Sequence, residues 1–221
     1  MPRRSSADRR GPTRRPAIAL AAVAVGVALA GVGCAALAPQ PVTGADVAAV
    51  LRASFAPRGG AGMERIEQST MQKECSHHVS VDLAEPVRQR IEAEALARVP
   101  YPTDGRYLGD WRRGEAIAQN GRGLQYDDAP GTPNGGNCYA CHRLSAEEIS
   151  FGNTGPSLFN YGKLRGSSEP VVKYTWARIW NSHSFNACSQ MPRFGDAGIL
   201  TAEQIRDLMA LLLDPASPVN R

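Results

Sequence analysis

Two cysteines and a histidine fall within five residues of this 221-residue chain, in the string C-Y-A-C-H at residues 138–142. The chain holds five cysteines and four histidines in all, so its composition predicts only about 0.002 strings of the form C-x-x-C-H by chance. The spacing of Cys138, Cys141 and His142 therefore has a chemical reason, and that reason constrains the fold more than any other feature of the sequence.

The pattern is typical of covalent haem attachment. Cys138 and Cys141 can reach the two vinyl groups on one edge of a porphyrin, and His142 then lies under the ring and offers its imidazole to the iron. We therefore predict one covalently bound haem c. A thioredoxin-like cysteine pair would need a βαβ context, a zinc site would need further ligands at suitable spacing, and a disulfide across two residues would be strained.

The iron of such a haem takes a second axial ligand. We expect Met191, which lies in a loop well beyond the haem cysteines and is followed by Pro192, which stiffens the chain. His183 is the next candidate, and His77 and His78 also remain open. A methionine ligand raises the reduction potential relative to a second histidine. It also fills the iron site, which favours electron transfer over oxygen or peroxide chemistry.

The free ring nitrogen of His142 also needs a partner. A backbone carbonyl in the pair Gly155-Pro156 could accept its N–H, which would fix the ring and make the ligand more basic. The alternative is that this pair forms a plain turn.

The first 38 residues are typical of an export signal. Six arginines and one aspartate in residues 1–16 precede an uncharged apolar run from Ala17 to Val32. That run is short for a permanent transmembrane helix. We expect the mature protein in the periplasm, with a lipid anchor at Cys34 as a second possibility, because the residues before this cysteine loosely resemble a lipoprotein signal.

The formal net charge of the whole chain is +4. The export signal carries about five positive charges, so the exported remainder is close to neutral. The basic balance thus belongs to the signal and predicts no nucleic-acid partner.

Helical periodicity dominates the rest of the chain and strand-like alternation is scarce, so we predict an all-α fold. A helical N-terminal extension is expected over residues 39–104, and the haem domain over 105–221. The run Pro100–Gly105 breaks the chain between them. Helices are expected over residues 43–55, 63–75, 86–99, 111–120 and 170–181.

The last helix is the best defined of all. Thr201 begins it and Gln204 can close a capping box, and the helix ends before Pro215. A core-facing apolar stripe follows at helical spacing. Its members are Ile205, Leu208, Met209, Leu212 and Leu213.

Two further cysteines remain once Cys34 is assigned to the signal. In an oxidising compartment, Cys75 and Cys188 most simply pair as a disulfide. That bond would pin the N-terminal extension beside the loop of Met191. Alternatively, one of the two thiols is a reactive site or an iron ligand.

Seven segments of the C-terminal part are similar to the SoxX subunit of the SoxAX cytochromes of bacterial sulfur oxidation. The resemblance is dense over residues 100–220, and the neighbours of Cys75 match more thinly. The segments are PYPTDGRYLGDWRR (100–113), GEAIAQNGRG (114–123), GNCYACH (136–142), GNTGPSL (152–158), YGKLRG (161–166), ACSQMPRFG (187–195) and GILTAEQIRDLMALLLDPASPV (198–219).

The resemblance implies a class I cytochrome c domain with one haem, attached at Cys138 and Cys141 and ligated by His142 and Met191. It also implies a SoxA-type partner subunit, a SoxYZ-type carrier reached through the complex, and a downstream cytochrome acceptor. The SoxAX complex as a whole is an L-cysteine S-thiosulfotransferase whose catalytic haem belongs to SoxA. This chain would then be the electron relay.

Two other functions stay open. The chain could be a free-standing cytochrome c that shuttles electrons between respiratory enzymes. It could also be a haem enzyme or gas sensor with an open iron site.

Overall fold

The computed structural model describes residues 41–77 and 83–221, without the side chain of His77. The export signal predicted at residues 1–38 lies outside the described residues, and so does its cysteine, Cys34.

The described residues are helical. Their only β structure is one isolated bridge between Arg58 and Ala61, so the all-α prediction is confirmed. The helices are α1 (Gly44–Ser54), α2 (Thr70–His77), α3 (Glu85–Ala97), α4 (Trp111–Gln119), α5 (Tyr161–Arg165), α6 (Glu169–Trp180) and α7 (Ala202–Leu213). Short 3₁₀ segments lie at Met63–Ile66, Cys138–Ala140, Ser182–Ser184 and Pro218–Asn220.

The chain divides into two units after Ala53. In the first unit, α1 begins where the Thr43 hydroxyl accepts a hydrogen bond from the Asp46 N–H at 3.2 Å, as the sequence predicts for this helix start. The same threonine donates to the carboxylate and lowers the pKa of Asp46. No residue of α1 is buried.

The second unit holds α2 to α7. Residues 54–104 lie in this unit together with residues 105–221, and the boundary at the run Pro100–Gly105 stays a prediction. Within this unit the Pro100 carbonyl accepts the indole N–H of Trp176 at 3.0 Å, and Val99 is buried in the core. The run contains a turn, in which the Gly105 N–H donates to the Pro102 carbonyl at 3.3 Å.

Helices α4 and α7 meet at their backbones. A Cβ built on Gly114 would lie only 2.2 Å from the carbonyl oxygen of Asp207. Asp207 accepts two hydrogen bonds from Arg113, each at 2.8 Å, and one from the N–H of Asp110. Asp110 itself caps α4 by accepting from the N–H of Arg112, as its position before the helix predicts.

Helix α7 matches its sequence signals. Thr201 and Gln204 form the predicted capping box, and every member of the predicted apolar stripe is buried. Leu211 and Ala210 are buried as well, so the helix is enclosed on more than one face.

The single helix predicted over residues 63–75 is wrong. The structure has a 3₁₀ segment at Met63–Ile66 and then a new helix, α2. Ser69 explains the break, because its hydroxyl accepts from the Gln72 N–H while the Gln72 side chain accepts from the Ser69 N–H. This reciprocal cap begins a helix at the point where an unbroken one would continue.

Candidate cofactor-attachment site

The residues just before the C-x-x-C-H segment form backbone hydrogen bonds with the C-terminal end of α4. The Gly136 N–H donates to the Ile117 carbonyl at 2.8 Å, and the Asn137 N–H donates to the Asn120 carbonyl at 3.0 Å. Asn137 has a left-handed φ of 46°, a conformation that asparagine tolerates better than most residues. The chain then turns tightly into the 3₁₀ segment Cys138–Ala140.

Both predicted thiols and the predicted ligand lie on this turn. The Cys138 carbonyl accepts from the N–H of Cys141 at 3.1 Å and from that of His142 at 2.9 Å. Cys138 and Cys141 are free thiols, and burial raises the pKa of Cys138 to about 12. A reactive cysteine of a redox C-x-x-C pair needs a lowered pKa. Because the pKa of Cys138 is raised, its environment does not favour redox-active thiol chemistry.

The imidazole of His142 is held from one side. Its Nδ1 atom lies 2.7 Å from the Pro156 carbonyl oxygen. A carbonyl can only accept, so Nδ1 carries a proton, and in the neutral ring the lone pair lies on Nε2. The sequence expectation of a carbonyl partner in Gly155-Pro156 is therefore confirmed.

Gly155 forms a cradle for the same ring. A Cβ built on Gly155 would lie 2.2 Å from Cε1 of His142, so any side chain here would push the imidazole away. The Gly155 N–H donates to the Cys141 carbonyl at 2.9 Å, which joins the cradle to the C-x-x-C-H turn.

The loop that carries Met191 is tied to the end of α6. The Ser182 hydroxyl donates to the Met191 carbonyl at 2.5 Å, and the Gly195 N–H donates to the Trp180 carbonyl at 3.0 Å. Gly195 also lies flat on the Trp180 indole, since a Cβ there would come within 2.3 Å of the ring. Met191 is half-buried and packs on the same hydrophobic core as Cys138.

The second ligand candidate, His183, is buried and has neighbours at both ring nitrogens. Its Nε2 lies 3.1 Å from the Ser189 carbonyl, and its Nδ1 contacts the sulfur of Met71. Burial lowers the pKa of His183. These contacts give His183 a structural role in the loop. His78 and the side chain of His77, the remaining candidates, lie outside the described residues.

Cys75 and Cys188 form a disulfide, with their Cα atoms 5.6 Å apart. Met71 lies one turn before Cys75 on α2, so this helix contacts both the 3₁₀ segment Ser182–Ser184, through His183, and the Met191 loop, through Cys188. The disulfide thereby joins the extension to the segment three residues before Met191.

The burial of two polar features was not predicted from the sequence. One is Asp207, which is 3% exposed within an apolar helix and binds Arg113. The other is the polar run Asn181–Ser184, of which every residue is buried. For Asp207, the only signal in the sequence is a carboxylate between the apolar stripe positions of α7. For the run Asn181–Ser184 the sequence gives no signal, because its burial depends on packing by distant segments.

Fold and site define an all-α protein with a C-x-x-C-H turn and a methionine loop packed on one helical core. No known protein-family profile matches the chain. The chain is 41% identical over 162 residues to an uncharacterized lipoprotein of Aquifex aeolicus (strain VF5), a match that covers 70% of this chain and 73% of that protein. The chain therefore belongs to the same family as that lipoprotein.

Each helix within residues 41–77 and 83–221 is too short or too polar to span a bilayer. The same residues contain no group of three or more His, Cys, Asp or Glu side chains placed to hold a metal ion.

Proposed function

We propose that this protein is an exported monohaem c-type cytochrome that acts as an electron-transfer subunit. The observation that carries the proposal is the setting of His142, whose ring is oriented by the Pro156 carbonyl and cradled by Gly155, directly after two free thiols. A histidine that ligates a metal characteristically donates its other ring N–H to such an acceptor.

The residues present fit a covalently bound haem c. Cys138 and Cys141 have the spacing that two thioether bonds need, and Nε2 of His142 and the sulfur of Met191 would be the donors to its iron. With this ligand pair, the haem supplies a one-electron couple at a raised potential. The domain around it is then a class I cytochrome c domain over residues 105–221.

This chain's own residues orient the ligands. The Pro156 carbonyl keeps the proton on Nδ1 of His142, so Nε2 stays available to a metal. The Ser182 hydroxyl and the disulfide at Cys188 hold the Met191 loop from two sides.

Within this class we favour the role of the SoxX subunit. The support is the resemblance of the segments within residues 100–219. A SoxA-type subunit would then be the partner that couples thiosulfate to a cysteine of a SoxYZ-type carrier. This chain would relay the electrons to a downstream cytochrome. The competing function is that of a free-standing periplasmic electron shuttle.

The relative's description as a lipoprotein supports export and attachment of a lipid at Cys34. Replacing Cys34 with serine should move the protein from the detergent phase to the aqueous phase and remove label from radioactive palmitate. The double variant Cys75→Ser/Cys188→Ser is the control, because it loses cysteines without touching the signal. A wild-type protein that takes up no palmitate would contradict the anchor.

The full chain, purified under mild conditions from a host grown on thiosulfate, tests the function. We expect one haem per chain, the weak long-wavelength band of methionine-ligated ferric haem, and a co-purifying SoxA-type cytochrome. A haem protein that purifies alone would support the shuttle. A haem protein without the methionine band would point to an open iron site, and a colourless protein would contradict the whole proposal.

A further inference from the structure

The disulfide between Cys75 and Cys188 is accessible from one side. Cys188 is exposed, whereas Cys75 is half-buried. Cys188 also lines an open cleft of about 370 Å³, together with Asn186, Ala187 and residues at the start of α3. Exposed disulfides are the ones that exchange with thiols and act as labile or regulatory bonds. A thiolate that enters this cleft therefore meets the sulfur of Cys188 first.

The same bond is the covalent attachment of α2 to the second half of the chain. None of the described side chains of α2 is fully buried. The noncovalent contacts of the helix include an ion pair between Glu74 and Arg90 at 3.5 Å, which is solvent-exposed and therefore contributes little. They also include the contact of Met71 with His183. Opening the disulfide would leave α2 weakly attached.

The bond also braces the loop of Met191, because Cys188 lies three residues before it. The Met191 N–H donates only within the loop, to the hydroxyl of Ser189 at 3.3 Å. The Met191 carbonyl accepts from the Ser182 hydroxyl at the end of α6. Without the disulfide, the loop keeps this hydrogen bond but loses its covalent tether to α2.

We propose that the Cys75–Cys188 disulfide is a redox-sensitive switch, which a dithiol protein opens at Cys188, and that opening it loosens the hold on Met191. The first part stands on the disulfide alone. The second part rests on the proposed function, in which Met191 ligates the haem.

The exchange balances between the two proteins. A thiolate of the dithiol protein attacks the sulfur of Cys188, the S–S bond breaks, and Cys75 leaves as a thiolate that takes up a proton. The second thiol of the partner then attacks the mixed disulfide and releases Cys188 as a thiol. Two electrons and two protons thus pass to this chain, and the partner becomes a disulfide. The Ala187 carbonyl oxygen lies 3.5 Å from the sulfur of Cys75, so the thiol formed there has an acceptor.

Reduced thioredoxin, regenerated by its reductase and NADPH, is the probe for the first part. The native holoprotein is incubated with it, alkylated and mapped by mass spectrometry. We expect label on Cys75 and Cys188 while the far-ultraviolet circular dichroism stays that of the folded protein. A thioredoxin variant that lacks its second cysteine should be trapped on Cys188. A disulfide that opens only after denaturation, or trapping on Cys75, would overturn the inference.

The second part is measured on the reduced and alkylated holoprotein after its haem has been reoxidised with ferricyanide. We expect a weaker methionine band and several-fold tighter binding of imidazole than in the untreated protein. Oxidised glutathione, added in place of the alkylating reagent, should restore the untreated values. Untreated values in the reduced and alkylated protein would overturn the inference, and so would a loss that reoxidation does not reverse.

The variant Cys75→Ser/Cys188→Ser is the matched control. It should have the imidazole affinity of the reduced wild type without any alkylation, and thioredoxin should not change that affinity. A thioredoxin effect of equal size in this variant would show that the effect arises elsewhere and would overturn the inference.

The outcomes separate the inference from the function on which it rests. Cys138 and Cys141 carry thioether bonds in the proposed holoprotein, so they should take no label even after denaturation. Label on both would overturn the proposed function, whatever happens at Cys75 and Cys188. A haem protein with a normal methionine band that does not respond to thioredoxin would overturn the inference alone.

Discussion

The Nδ1 atom of His142 lies 2.7 Å from the carbonyl oxygen of Pro156, fourteen residues along the chain. Together with the cradle at Gly155, this contact leaves the ring one orientation and one free nitrogen. The proposed haem ligation depends on that orientation, and the cradle offers a direct way to disturb it.

Replacing Gly155 with alanine should displace the imidazole, because the new Cβ would lie 2.2 Å from the ring. We expect a several-fold lower yield of haem-containing protein and a high-spin fraction in its visible spectrum. Gly60→Ala is the matched control, since no atom lies within 4 Å of a Cβ built there. Equal spectra for the two variants would show that the cradle plays no part in ligation.

Replacing Met191 with leucine should abolish the methionine-ligated low-spin spectrum and lower the reduction potential, because leucine has no donor atom. Met209→Leu is the control, since Met209 is fully buried in α7 and fills core space. An unchanged spectrum in Met191→Leu would show that another residue is the second iron ligand, and His183 would be the next candidate.

The disulfide should stabilise the fold measurably. Cys75 and Cys188 are 113 residues apart in sequence, so the bond restricts a long loop of the unfolded chain. The variant Cys75→Ser/Cys188→Ser should lose about 2–4 kcal/mol of unfolding free energy, measured by urea denaturation.

Mass spectrometry without reduction checks the same bond, because one linked peptide should contain both cysteines. Alkylation of both cysteines in the unreduced protein would contradict the disulfide.

The buried ring of His183 should make stability depend on pH. Burial lowers the pKa of this group in the folded protein, whereas the unfolded chain takes up a proton near the ordinary value of about 6.5. The free energy of unfolding should therefore be highest above that pH and should fall as the pH falls below it. The difference between wild type and His183→Gln, measured between about pH 7.5 and pH 5, isolates the effect; parallel curves would contradict it.

Local signals in the sequence predict much of this fold. The capping box of α7 and the cap of α4 at Asp110 are short-range hydrogen-bond patterns, and they lie where the sequence predicts them. The carbonyl partner of His142 was also predictable, because it follows within one short loop.

The features that sequence reasoning misses depend on packing between distant segments. Nothing near Asp207 indicates that Arg113 will bind it, and nothing in the run Asn181–Ser184 indicates burial. The run Pro100–Gly105 predicts a turn correctly, but the hydrogen bond from Trp176 to the Pro100 carbonyl joins residues 76 positions apart, which no local signal predicts.

The central claim is that Cys138 and Cys141 each carry a thioether bond to one haem. The most direct test is the intact mass of the full chain, matured in a host that assembles c-type cytochromes, compared with the variant Cys138→Ser/Cys141→Ser. We predict that the wild type is heavier than its processed polypeptide by one haem, even after denaturation. The variant should lack haem and accumulate poorly, because a bound haem would form a large part of this small core. A wild-type protein with the mass of the bare polypeptide would contradict the account.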